Sequence, residues 1–227
     1  MRLKTFISCF VLILLAGCAY TGGGDNPGVR KVSLFSMLNG DDIRGKCGQV
    51  AGYERYRLVY NGLYEEQFRV YELNRGPRDG HVLKASVTNP ANVAELDLKD
   101  LLSPWRPVVA ERFLKDAEFS NLTAALGQAG LFGKTPTGLA LASDSFWWLA
   151  VGCKEGQMFF HAWRHPAPDL ATLAFVKPLL AMDETRAPLN PPRHPISHMP
   201  HMKSSADDKR FDLKVGENGL SYVTPLF

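Results

Sequence analysis

Cysteine is scarce in this chain, four in 227 residues, too few for a disulfide-built miniature scaffold. No apolar run reaches the roughly 20 residues that a membrane-spanning helix requires. Neither sign of charge dominates. Two of the 26 basic residues, Arg2 and Lys4, stand at the very start, which leaves 24 against 23 acidic ones. Such a balance is no nucleic-acid footprint, and no basic cluster marks a second contact with a membrane surface. The motifs of common chemistries are also missing: no phosphate loop, no His-Glu-x-x-His, no calcium loop and no Gly-x-Ser-x-Gly. No internal repeat of helical-repeat length occurs. No cofactor is therefore implied.

What is present begins at residue 2. Arg2 and Lys4 form a basic start, Phe6 to Leu15 is a ten-residue apolar core interrupted by Ser8, and Ala16-Gly17 is a small-residue cleavage site. This is the layout of an export signal. The segment Leu14-Leu15-Ala16-Gly17-Cys18 resembles the lipobox of bacterial lipoproteins. The resemblance implies a diacylglyceryl group on the Cys18 sulfur, cleavage before Cys18 and acylation of the new amino group. Each buried CH₂ of the chains adds about 0.8 kcal/mol of membrane affinity, and two or more chains anchor stably. Ala19, in place of the Asp that retains lipoproteins at the inner membrane, implies the periplasmic face of the outer membrane of a Gram-negative cell. The alternative is an ordinary cleaved signal with Cys18 an unmodified residue. Tyr20 to Val29, with Gly22-Gly23-Gly24 and Pro27-Gly28, is a polar tether of flexible composition.

Export would place the remaining cysteines in an oxidising compartment. Cys9 leaves with the signal and Cys18 takes lipid, so Cys47 and Cys153 remain to form a disulfide. A reactive thiol pair is the alternative, but no Cys-x-x-Cys spacing supports it.

The body predicts an α+β fold: an antiparallel sheet of hairpins packed with two or three short helices. Val32 to Leu38 is a candidate first strand. Glu54 to Tyr60 and Glu65 to Leu73 are strand-like, with Asn61-Gly62 as the turn between them. His81 to Val87 is a further strand, ended by Asn89-Pro90. Val108 to Lys115, after Pro104 and Pro107, suggests a short helix. Ser120 is a candidate N-cap for a helix carrying Leu122, Ala125, Leu126 and Ala129, ended by Gly130. Ser145 to Cys153 and Gln157 to Arg164 predict a hairpin around Lys154-Glu155-Gly156. Its first strand, with Phe146, Trp147, Trp148, Leu149 and Val151, should be buried on both faces. Pro166 stops the second strand. Pro168-Asp169 opens a helix with Leu170, Leu173, Val176 and Leu180, which Pro178 should kink or end. This order of elements loosely resembles uncharacterised bacterial envelope proteins, a likeness that implies no activity.

The expected organisation is a signal peptide over 1–17, a tether over 18–31, an α+β domain over 32–182, a Pro-rich exposed loop over 183–209 and a C-terminal hairpin over 210–227. That hairpin would turn at Glu217-Asn218-Gly219.

Three constellations could carry chemistry. His194, His198, Met199, His201 and Met202 lie within nine residues of the Pro-rich loop, and imidazole with thioether suits Cu(I) or Ag(I). The plainer interpretation is a surface loop that happens to hold them. His161, Trp163 and His165 share one face of a strand, as acid and base or as metal ligands, or simply as its wet end. Ser143-Asp144-Ser145 fits a turn that bonds its own backbone. The leading expectation is a non-enzymatic envelope lipoprotein, anchored to the membrane by lipid, that binds an unknown envelope protein or supports envelope assembly. A soft-metal binder and a hydrolase-type enzyme are the alternatives.

Overall fold

The computed structural model describes residues 34–88, 107–193 and 211–223. Its spine is β6 (Phe146–Lys154), in which every residue but the last is buried. A strand apolar on both faces must be covered on both faces. Here β6 runs between β1 (Arg55–Gly62) and β7 (Gln157–Arg164). With β2 (Phe68–Asn74), β3 (His81–Thr88) and β4 (Val108–Leu114) they form one antiparallel sheet in the order β4-β3-β2-β1-β6-β7. The fold is α+β.

Each face of the sheet has its own core. On one, Tyr56, Leu58, Tyr60, Tyr71, Leu73 and Trp148 pack beneath α2 (Asp116–Gln128) and α3 (Val176–Ala181). On the other, Val59, Trp147, Leu149 and Val151 pack against residues 34–39, which are helical, against Ile43 of α1 (Asp41–Arg44), and against a small second sheet. That sheet has the order β5-β8-β9, from β5 (Ala140–Ala142), β8 (Asp212–Gly216) and β9 (Gly219–Val223). It contributes Leu141, Leu213 and Val215 to the core.

The hairpin β6-β7 turns on Glu155 and Gly156, both with positive φ (52° and 77°). This two-residue geometry matches the twist of the strands. Gly152 lets the Tyr56 ring lie directly over the sheet, since a Cβ there would overlap that ring. A disulfide joins Cys47 to Cys153, with Cα atoms 5.6 Å apart and a sequence separation of 106. It fastens the chain after α1 to the end of β6.

The structure corrects several local expectations. Residues 34–38 are helical, not a strand. Asn61 and Gly62 do not turn; they belong to β1, and the chain turns over 63–67, where Leu63 has φ 62°. Asn61 is fully buried, and its amide donates to the Ser143 and Ser145 carbonyls, a tertiary use that overrides its turn preference.

Residues 108–114 are a strand because β3 offers a full ladder to pair with. The helix α2 starts at Asp116, four residues before Ser120. The Lys115 N–H donates to Glu118 Oε2, half of a capping box. Its end is as expected at Gly130 (φ 101°): Gly130 N–H bonds the Gly127 carbonyl and Leu131 N–H the Leu126 carbonyl, a Schellman closure.

The segment after Pro168 splits into a 3₁₀ turn, Leu170–Thr172, and α3. Pro178 is the third residue of α3, where an N–H would have no partner within the helix, so it neither kinks nor ends it.

Candidate functional site

The sequence-predicted ligands and anchor fall outside the described residues: Cys18, and the set His194, His198, Met199, His201 and Met202. Among the described residues, no three His, Cys, Asp or Glu side chains are grouped to hold a metal ion, and no helix is long and apolar enough to cross a membrane.

His161 and Trp163 share a face of β7, but the strand ends at Arg164 and His165 stands in the turn after it. Trp163 is buried and its indole N–H donates to the Ala129 carbonyl at 2.9 Å. The His161 ring lies tilted against it, with centroids 4.6 Å apart. Burial holds the His161 imidazole below its ordinary pKa, partly opposed by a bond to the backbone of Lys134. His165 meets the edge of Phe146, centroids 6.4 Å apart. The Trp163 and His161 rings pack the hairpin against the end of α2, and His165 packs within the hairpin. In Ser143-Asp144-Ser145, the Ser143 hydroxyl accepts from Phe211 N–H and the Ser145 hydroxyl donates to the Ala142 carbonyl. This is turn chemistry, and it also ties β8 to β6. A shallow pocket of about 80 Å³ beside β7 includes Arg44, Thr135, Phe160 and Glu217. It is far smaller than a typical small-molecule site, and Arg44 already donates to the Asn218 carbonyl.

The polar residues that organise the molecule are ones that motif searching does not reach. Arg57, 1% exposed, sits in mid-strand. Its guanidinium grips Asp42 with two bonds of 2.8 and 2.7 Å, donates to the Met37 carbonyl at 2.7 Å and pairs with Glu72. Burial works to raise the Asp42 pKa, but the bond to Arg57 and the charges of Arg57 and Arg55 outweigh it and hold the carboxyl below its ordinary value. On the opposite face, Arg69 bonds Asp183, Tyr71, Gln67 and the Ala187 and Pro188 carbonyls. These contacts draw residues 183–193, which hold no helix or strand, onto the sheet. At the sheet's end, Gly76 N–H donates to His81 Nδ1, so Nε2 carries the proton that Asp116 accepts at 2.6 Å. The local signal is slight: Arg57 and Arg69 each stand between apolar neighbours in a strand, and His81 opens β3.

A surface feature remains. The second core covers β1, β6 and β7 but stops short of β3 and β4. There three parallel rows of side chains cross the sheet. One runs Val59, Val70, Ser86, Val109; the next Arg57, Glu72, Lys84, Glu111; the third Arg55, Asn74, Val82, Phe113. Their outer ends lie open: Val109 is 49% and Phe113 76% exposed. Scattered apolar side chains on a surface are ordinary, but a grouped set on an edge strand marks a contact surface or an aggregation hazard. Comparison with protein families, with curated proteins and with solved structures returns no match to this chain.

Proposed function

We propose that this protein is a lipid-anchored lipoprotein of the bacterial envelope, tethered through Cys18, whose folded domain binds a partner protein at the membrane. The observation that carries the proposal is Leu14-Leu15-Ala16-Gly17-Cys18 behind a basic start and an apolar core. The Cys47–Cys153 bridge is in keeping with it, since disulfides persist in exported proteins and are rare in the cytosol. The open rim of β4 supports the binding role. A binding domain needs no cleft of enzyme size. By composition, residues 18–31 would give such a domain the reach to stand off the bilayer.

The experiment is fractionation of cells expressing the wild type and Cys18→Ser. The wild type should be in the membrane fraction at mature size, and the variant soluble or unprocessed. A variant that remains in membranes at mature size contradicts the anchor.

A further inference from the structure

The middle row crossing the sheet alternates in sign. Arg57 faces Glu72, Glu72 faces Lys84, and Lys84 faces Glu111. Its inner end is an ion pair between Arg57 and Glu72, and its outer end an ion pair of 3.0 Å between Lys84 and Glu111. The row stops at the sheet edge on a carboxylate that is half exposed. Two positions along the same face on either side of it stand Val109 and Phe113. Among the described residues, no backbone bond reaches β4 from its outer side. A seventh strand laid along this edge would put one of its side chains opposite Glu111 and its same-face neighbours opposite Val109 and Phe113. Opposite charges favour such directly facing pairs and like charges oppose them.

We propose that the β4 edge takes an extended segment of a partner protein, in which a Lys or Arg faces Glu111 and apolar residues two positions to either side cover Val109 and Phe113. This is strand addition, with the main chain supplying bonds and alternate side chains supplying selectivity. The inference rests on the partner-binding part of the proposed function and names that partner's chemistry.

A second copy of this chain fits the edge poorly. Two β4 strands related by a twofold axis through the sheet keep the same face outward, so the residues that face one another must come from one set: Val109, Glu111 and Phe113. Arg112, on the other face, can never meet Glu111, and the register that pairs Val109 with Phe113 sets Glu111 against Glu111. The chain's own remaining segments fit no better. No Lys or Arg in residues 1–33, 89–106 or 194–210 has an aliphatic or aromatic residue at both flanking same-face positions.

The test is fluorescence anisotropy on the full chain, purified in mild detergent, with a labelled peptide Ser-Thr-Val-Thr-Lys-Thr-Phe-Thr-Ser. Lipidation does not enter this measurement, so its failure and failure of the Cys18 experiment are separable. Saturable binding is expected, weakened by about tenfold or more when the peptide lysine is changed to glutamate. Glu111→Lys should reverse that preference, and Glu111→Gln should bring the two peptides nearly level; circular dichroism checks that both variants are folded. Backbone N-methylation at alternate residues of the peptide should abolish binding. Absence of saturable binding overturns the proposal, as does equal affinity for both peptides. A concentration-dependent dimer that the lysine peptide cannot displace also overturns it, because a second copy then holds the edge.

Discussion

Arg69 and Asp183, 114 residues apart in sequence, meet at 3.0 Å with side chains 1% and 4% exposed. One comes from β2 and the other from the start of the irregular segment after α3, so this pair decides where that segment lies. Tyr71 adds a second bond, donating its hydroxyl to Asp183 at 2.7 Å.

Removing one partner of such a pair strands a buried charge. Asp183→Ala should cost about 3–5 kcal/mol in urea unfolding. It should also raise amide exchange across residues 184–193, which the arginine holds through the Ala187 and Pro188 carbonyls. A loss below about 1 kcal/mol would mean that the arginine finds water in place of the carboxylate.

Trp147 and Trp148 point to opposite faces of β6, and both are buried. Trp148 packs on Tyr60 and Phe175 in one core, and Trp147 donates its indole N–H to the Ala142 carbonyl in the other. Each substitution to Ala should therefore cost about 3–5 kcal/mol. Near-zero loss at either would deny the two-faced burial of this strand.

The hairpin of β6 and β7 was legible in the sequence because its evidence is local: a nearly continuous apolar strand, a turn with glycine and a second strand ended by Pro166. The C-terminal hairpin was legible for the same reason. The β4 strand was not, because Val108 to Leu114 is short and mixed, and only the ladder offered by β3 decides its state. Asn61-Gly62 misled because the Asn61 amide is spent on two carbonyls from the turn before β6. The lipobox-like segment ending at Cys18 and the His/Met segment over 194–202 were the clearest motifs, yet both lie outside the described residues. The row ending at Glu111 needs the strand register before its charges can be seen to face one another.

Asp42 gives the molecule a pH dependence whose sign is fixed. Its folded pKa lies below the ordinary value of 3.8, on account of Arg57 and Arg55 overcoming burial. Its ionised form is thus favoured by folding. The stabilisation is full above the unfolded value and is lost as pH falls through the folded one. Chemical denaturation should show Asp42→Asn less stable than wild type near neutral pH, with the gap closing only as pH drops below about 4. A gap unchanged into strong acid would show that the Asp42 charge does not matter.

The Cys47–Cys153 bridge closes a loop spanning 106 residues. Cys47→Ala with Cys153→Ala should lower stability by roughly 4 kcal/mol through the greater freedom of the unfolded chain. Thermal unfolding with and without reductant checks it: the wild type should respond to reductant and the double variant should not. Equal responses would point to another cause.

We propose above that Cys18 carries a lipid that holds this domain at the envelope. Mass spectrometry of the N-terminal peptide from membrane-purified protein tests it most directly. The expected species begins at Cys18 and bears a diacylglyceryl group on sulfur. A peptide that still contains residues 1–17, or one that begins at Cys18 or beyond without lipid, would contradict it.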